Sequence, residues 1–134
     1  MQVHSELRWG LLEAVYAEAL SLELSDRGIS NMTEKLIHCY YKHHQLNKEY
    51  KMDLVVDNDI IAELKSVAEI VPAHRAQLFN YLRLTKKPIG LLINFGTPKL
   101  QGERYGYDSI ANDCVLLDKD MNIVPRTVDW SHDT

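Results

Sequence analysis

The stretch Met52–Lys65, MDLVVDNDIIAELK, decides how this 134-residue chain is read. Two short apolar runs flank Asp57, Asn58 and Asp59, so the segment reads as a β-hairpin around an Asp-Asn-Asp turn. Alternation along a strand puts Glu63 and Lys65 on one face with Leu64 pointing away, and Asp53 on the preceding strand can sit beside them. Ionised groups in an apolar sheet need a partner or a metal. Two carboxylates beside one lysine suit a hard divalent cation, magnesium or manganese, of the kind that keeps several waters and also takes phosphate oxygens. That points to phosphodiester chemistry. Taken alone, D-x9-E-x-K equally describes a solvated strand face with charge pairs across it, and the rest of the chain has to separate the two.

Downstream, Pro72 fits the first turn of a helix over 73–85, with Ala76, Leu78, Phe79, Leu82 and Leu84 as its apolar surface. His74, Gln77 and Tyr81 form a polar stripe on that helix, H-x-x-Q-x-x-x-Y, which by spacing alone is its wet side. Ile89–Phe95, IGLLINF, is a continuous apolar run and predicts a strand buried on both faces of a mixed sheet, joined to the ELK strand by a helical crossover. A short strand is expected within 103–110, and a small hairpin from 114–117 and 121–124. The tail beyond Pro125 is expected to be mobile.

Upstream, Asn31–Tyr41 predicts the first strand of a meander, followed by a turn through His43, His44, Gln45 and Leu46 and a strand over 51–56. Adjacent His43 and His44 would face opposite sides, which argues against a metal site there. An amphipathic helix is expected over 11–27, with Leu12, Val15, Tyr16, Ala19 and Leu22 as its core face and Gly28 as its stop. Gly10 separates it from a shorter helix containing Val3, His4 and Leu7. Gly10, Glu13 and Tyr16 make a G-x-x-E-x-x-Y pattern whose helix can present a carboxylate to the sheet, although the helix dipole alone favours Glu13 in a first turn.

The formal net charge of −4 argues against a protein that coats nucleic acid through bulk charge, but not against an enzyme with an acidic site. Lys48, Lys51, Arg75, Arg83, Lys86, Lys87, Lys99 and Arg104 are the basic groups available to hold a phosphate backbone. No apolar run is long enough to span a bilayer and MQVHSELRWG has no secretory pattern, so a soluble, cytoplasmic protein is expected. Cys39 and Cys114 have neither zinc-site spacing nor the number for a disulfide framework.

Together, V-H-x-E-L-x-x-G-L-L-E-x-x-Y, D-L-V-V-D, A-E-L-K, P-x-H-x-x-Q-L-x-x-Y-L and G-L-L-I-N-F resemble the GxxExxY protein family of the PD-(D/E)XK nuclease superfamily, over roughly Val3 to Ile110. The resemblance implies an α/β fold with a restriction-endonuclease-like core, a mixed β-sheet flanked by helices, as a single domain over 1–125 with a flexible tail over 126–134. It implies a metal-dependent nuclease in which Asp53, Glu63 and Lys65 are catalytic, with Glu13 as the acid of the first helix. Asp53, Glu63, the Leu64 carbonyl and Glu13 would bind Mg2+ or Mn2+. Gln77 and Tyr81 match the Q-x-x-x-Y motif of RecB-like nucleases and, with His74 and Tyr16, form the expected substrate-binding set. Lys65, beside two carboxylates, is given an electrostatic role. Arg8 and Trp9 stand where the family commonly has a Gly-Pro turn. The expected partner is nucleic acid, DNA in preference to RNA, with a homodimer or protein partner helping so small a chain hold its substrate. The competing expectation is a non-catalytic adaptor or nucleic-acid-binding module that retains the nuclease fold.

Overall fold

The structure, a computed structural model, describes residues 1–125; the tail expected over 126–134 lies outside the described residues. Its centre is a mixed six-stranded sheet of β1 (Asn31–Tyr41), β2 (His44–Val56), β3 (Ile60–Lys65), β4 (Ile89–Asn94), β5 (Gln101–Asp108) and β6 (Asp113–Leu117), in that spatial order. All neighbours are antiparallel except β3 and β4, which run parallel. A parallel pair needs a crossover, and α3 (Pro72–Thr85) supplies it. The turn between β2 and β3 holds Asp57 and Asn58 at positive φ, a conformation that short polar side chains tolerate.

Helices cover both faces. On one, Leu78, Tyr81 and Leu82 of α3 pack with Val55, Ile61, Leu92 and Tyr105. On the other, Val3 of α1 (Gln2–Leu7) and Tyr16 and Leu20 of α2 (Glu13–Asp26) pack with Leu54, Ala62, Leu64 and Phe95. Strand β3 therefore divides its side chains between two apolar layers, and the alternation that sends Ala62 and Leu64 toward α2 sends Glu63 and Lys65 toward α3.

Several details differ from the sequence expectations. The core face of α2 is rotated: Leu12 and Leu22 are 77% and 62% exposed and Val15 is exposed too, while Tyr16 and Leu20 are buried. Apolar residues surround this helix, so periodicity barely distinguishes its faces, and contacts made by Tyr16 choose between them. On α3, Ala76 and Leu84 are exposed whereas Arg75 and Tyr81 are buried. The first turn of the meander lies at Lys42 and His43, and β2 begins at His44. That early part of β2 pairs only with β1, and residues 38–51 are exposed except for half-buried Cys39, so no apolar alternation announced it. Both cysteines are free thiols.

Candidate active site

The backbone ladder between β2 and β3 covers Leu54 to Val56, and immediately beyond it two acidic side chains take the place of strand carbonyls. The Asp53 N–H donates to Glu63 Oε2 at 2.8 Å, and the Leu64 N–H donates to Asp53 Oδ2 at 2.8 Å. Glu63 is 1% exposed, which rules out the solvated-strand alternative for it. Burial first, and then the charge of Asp53, push its carboxyl up to about 8, against the smaller opposing effects of the Asp53 N–H and Lys65. The two carboxyls also lie within hydrogen-bonding reach of one another, and neither has a further side-chain hydrogen-bond partner among the described residues. A buried glutamate whose proton affinity is raised beside a half-buried aspartate, with only backbone N–H groups to offset their charges, fits a divalent cation. Among the described residues no group of three Asp, Glu, His or Cys is placed to hold a metal ion, so Glu13 is not brought to the pair, and a cation there would keep water.

Lys65 leaves β3 on the same side and donates from Nζ to Gln77 Oε1 at 2.9 Å; Gln77 Nε2 in turn donates to the Tyr81 hydroxyl at 3.2 Å. The stripe that spacing assigned to the wet side of α3 thus faces the sheet beside the acids. Burial, then the nearby Glu63 charge, raise the Tyr81 hydroxyl above its ordinary range, so Tyr81 stays neutral. His74 accepts the Val71 N–H at Nδ1, 3.1 Å away, which satisfies a donor at the start of α3 and leaves the proton of a neutral ring on Nε2. Burial and Lys65 lower the His74 pKa, with Glu13 acting oppositely, so Lys65 and Glu13 each lie within electrostatic reach of His74.

The turn that leads into Glu13 and α2 is tied to the sheet through the backbone. Phe95 donates its N–H to the Lys65 carbonyl at 2.7 Å and accepts the Gly10 N–H at 3.0 Å. Gly10 makes that bond at φ +90, where a side chain would be strained. The Tyr16 hydroxyl donates to the Arg8 carbonyl at 2.8 Å and accepts the Leu11 N–H at 3.0 Å, while its ring stacks on Phe95 with centroids 4.3 Å apart. Every member of G-x-x-E-x-x-Y therefore has a place: Gly10 and Tyr16 fasten the turn, and Glu13 opens the helix. Tyr16 is fully buried, so the substrate contact expected of it is corrected to a positioning role.

Two further groups escaped the sequence reading. Asn94, wholly buried at the end of β4, accepts the Val67 and Gly96 N–H groups at Oδ1 and donates from Nδ2 to the Val67 carbonyl and Gln101 Oε1, all at 2.9 to 3.0 Å. It fixes the chain just after Lys65. Gly96 lets the strands approach there, because a Cβ would lie 2.2 Å from Val67 N. The one signal for Asn94 was an amide closing an apolar run. Arg75, counted among the basic groups free for phosphate, is instead buried and grips Glu103 bidentately at 2.8 and 2.9 Å, anchoring α3 to β5. Burial alone would raise the Glu103 carboxyl, but hydrogen bonds from Arg75 and Tyr105 hold it below its ordinary value.

A family model described as the PD-(D/E)XK nuclease superfamily matches residues 1–105. The chain belongs to the PD-(D/E)XK nuclease superfamily. Its mixed sheet with helices on both faces is the restriction-endonuclease-like arrangement of that superfamily, whose members usually use divalent metals. The crystal structure of a protein named SSO0001 is similar in fold, with a TM-score of 0.53 and 18% identity over 73% of this chain. The chain spans about half the length of that protein, 52%. No curated protein matches. Among the described residues of this superfamily member, no helix is long and apolar enough to cross a membrane.

Proposed function

We propose that this chain is a nuclease that hydrolyses nucleic-acid phosphodiester bonds, DNA in preference to RNA, with Mg2+ or Mn2+, and that within its superfamily it stands with the GxxExxY proteins. The supporting observation is the cross-bonded pair Asp53 and Glu63 beside a lysine held by Gln77. Asp53, Glu63 and the Leu64 carbonyl are the groups we assign to hold the cation, with Glu13 acting through a water; the cation when bound would polarise the scissile phosphate and activate water. Lys65 stabilises the charge that builds on the phosphoryl oxygens, Gln77 fixes its direction, and Tyr81 supports Gln77. His74 offers its Nε2–H to the substrate backbone. Tyr16 acts at one remove, by holding the turn that delivers Glu13.

Residues 1–125 form one nuclease domain in this reading, placed in the cytoplasm and working as a homodimer or with a protein partner. The test is cleavage of labelled single- and double-stranded DNA and RNA with magnesium or manganese, comparing wild type, Glu63→Ala and Lys65→Ala. Metal-dependent cleavage lost in both variants supports the nuclease. Absence of cleavage alongside tight metal or nucleic-acid binding would select the non-catalytic adaptor.

A further inference from the structure

A groove of about 580 Å3 runs between the exposed arm of β1 and β2 and the outer face of α3. The arm contributes Cys39, Leu46, Lys48 and Tyr50, and α3 contributes Gln77, Tyr81 and Arg83 among others. Gln77 and Tyr81 belong to the site already described, so the groove opens from the lysine and its supports. The Tyr50 ring lies 5.7 Å from the Tyr81 ring and is itself 50% exposed, a flat aromatic surface at the groove wall. Lys48 and Arg83 are exposed cations, and neither pairs with a carboxylate among the described residues. No acidic residue lines the groove, in a chain whose net charge is −4.

An exposed aromatic ring sharing a groove with two cations that pair with no carboxylate, Arg83 donating only to Asn80 Oδ1, and with no anion opposing them, is the chemistry that takes a polyanion carrying free π-faces. The volume is that of a site for one drug-sized ligand, on the scale of a nucleotide. Paired bases would hide the faces that Tyr50 can stack on. We propose that this groove receives a single strand of nucleic acid leading to the Asp53–Glu63 pair, with Tyr50 stacking on a base and Lys48 and Arg83 contacting phosphates. The inference rests on the nuclease reading and adds the form of the substrate and three residues that meet it.

The test is binding in EDTA, where metal-dependent cleavage is off. Fluorescence anisotropy on the full chain uses labelled oligo-dT, oligo-U and a DNA duplex of equal length across a salt series. Tyr50→Ala is expected to weaken single-strand binding roughly tenfold or more, whereas Tyr50→Phe, which keeps the ring, binds like wild type. Removing Lys48 and Arg83 flattens the dependence of log Kd on log salt by about 0.7 per cation. All three side chains are exposed, so folding is preserved, and circular dichroism checks it. Comparison of oligo-dT with oligo-U shows which sugar is preferred. Unchanged single-strand binding in Tyr50→Ala, or tighter binding of the duplex than of either single strand, overturns the groove assignment even if metal-dependent cleavage stands. Loss of single-strand binding in Tyr50→Ala, with no cleavage by wild type under any metal, upholds the groove and defeats the nuclease reading.

Discussion

Asp53 donates its backbone N–H to the carboxylate of Glu63 at 2.8 Å, so one acid is held in place by the main chain of the other and their charges are forced together. The consequence is a proton. With a carboxyl raised from 4.5 to about 8, folded protein retains a proton that the unfolded chain releases. Stability from neutral Glu63 is full below about pH 4.5 and is lost as pH rises through about 8. In EDTA the Tm is therefore expected to fall by roughly 5 °C between pH 5 and 8, and Glu63→Gln should flatten that fall. Mn2+ should raise the Tm more at pH 8 than at pH 5, because it competes less with the proton there. A wild-type Tm in EDTA that does not fall over this window would show that the pair does not hold the proton.

Lys65 and Gln77 should separate in a kinetic comparison. Lys65→Ala removes the charge and is expected to reduce cleavage at least ~100-fold while leaving the Mn2+-induced rise in Tm intact. Gln77→Ala frees the lysine without removing it, and a loss of about tenfold is expected. Equal losses in single-turnover cleavage would assign Gln77 a direct contact with the substrate.

Arg8 ends α1 at φ 65 and ψ −157, a region essentially reserved for glycine. Arg8→Gly should relieve backbone strain of about 1 kcal/mol or more and raise the Tm by a few degrees. Gly10→Ala should do the reverse at φ +90. If calorimetry finds Arg8→Gly less stable than wild type, the turn is not strained at Arg8.

The Arg75–Glu103 pair should behave as a buried ion pair. Removing one partner, as in Glu103→Ala, leaves a buried guanidinium and is expected to cost about 3 to 5 kcal/mol in urea unfolding. Replacing both, Arg75→Met with Glu103→Leu, should recover most of that loss. A single-variant cost below about 1 kcal/mol would mean that the pair is solvated in solution.

The hairpin of Met52–Lys65, the crossover helix and the side of β3 that carries Glu63 and Lys65 were legible because alternation and turn chemistry are local properties. The rotation of α2 was not, since it is set by Tyr16 stacking on Phe95, a contact between distant parts of the chain. Asn94 and Arg75 were misjudged for a related reason. A lone amide in IGLLINF and one arginine among many cations look ordinary until the groups that satisfy them come together from other elements. β1 was read with its observed bounds, but β2 was begun at 51 instead of His44 because both faces of its first half are wet, which leaves no pattern in the residues.

The bonds Gly10 to Phe95 and Phe95 to Lys65 also set an order of assembly. During synthesis the two carboxylates emerge on a single hairpin and can meet as soon as it closes, a loop of small entropy cost. The turn before α2 is made earlier, yet it has no fixed position on the sheet until Phe95 has left the ribosome and stitched the oldest part of the chain to the strand carrying the lysine. The growing polypeptide thus holds its acidic pair early and fastens its N-terminal helices to the sheet late, when the fold is nearly finished.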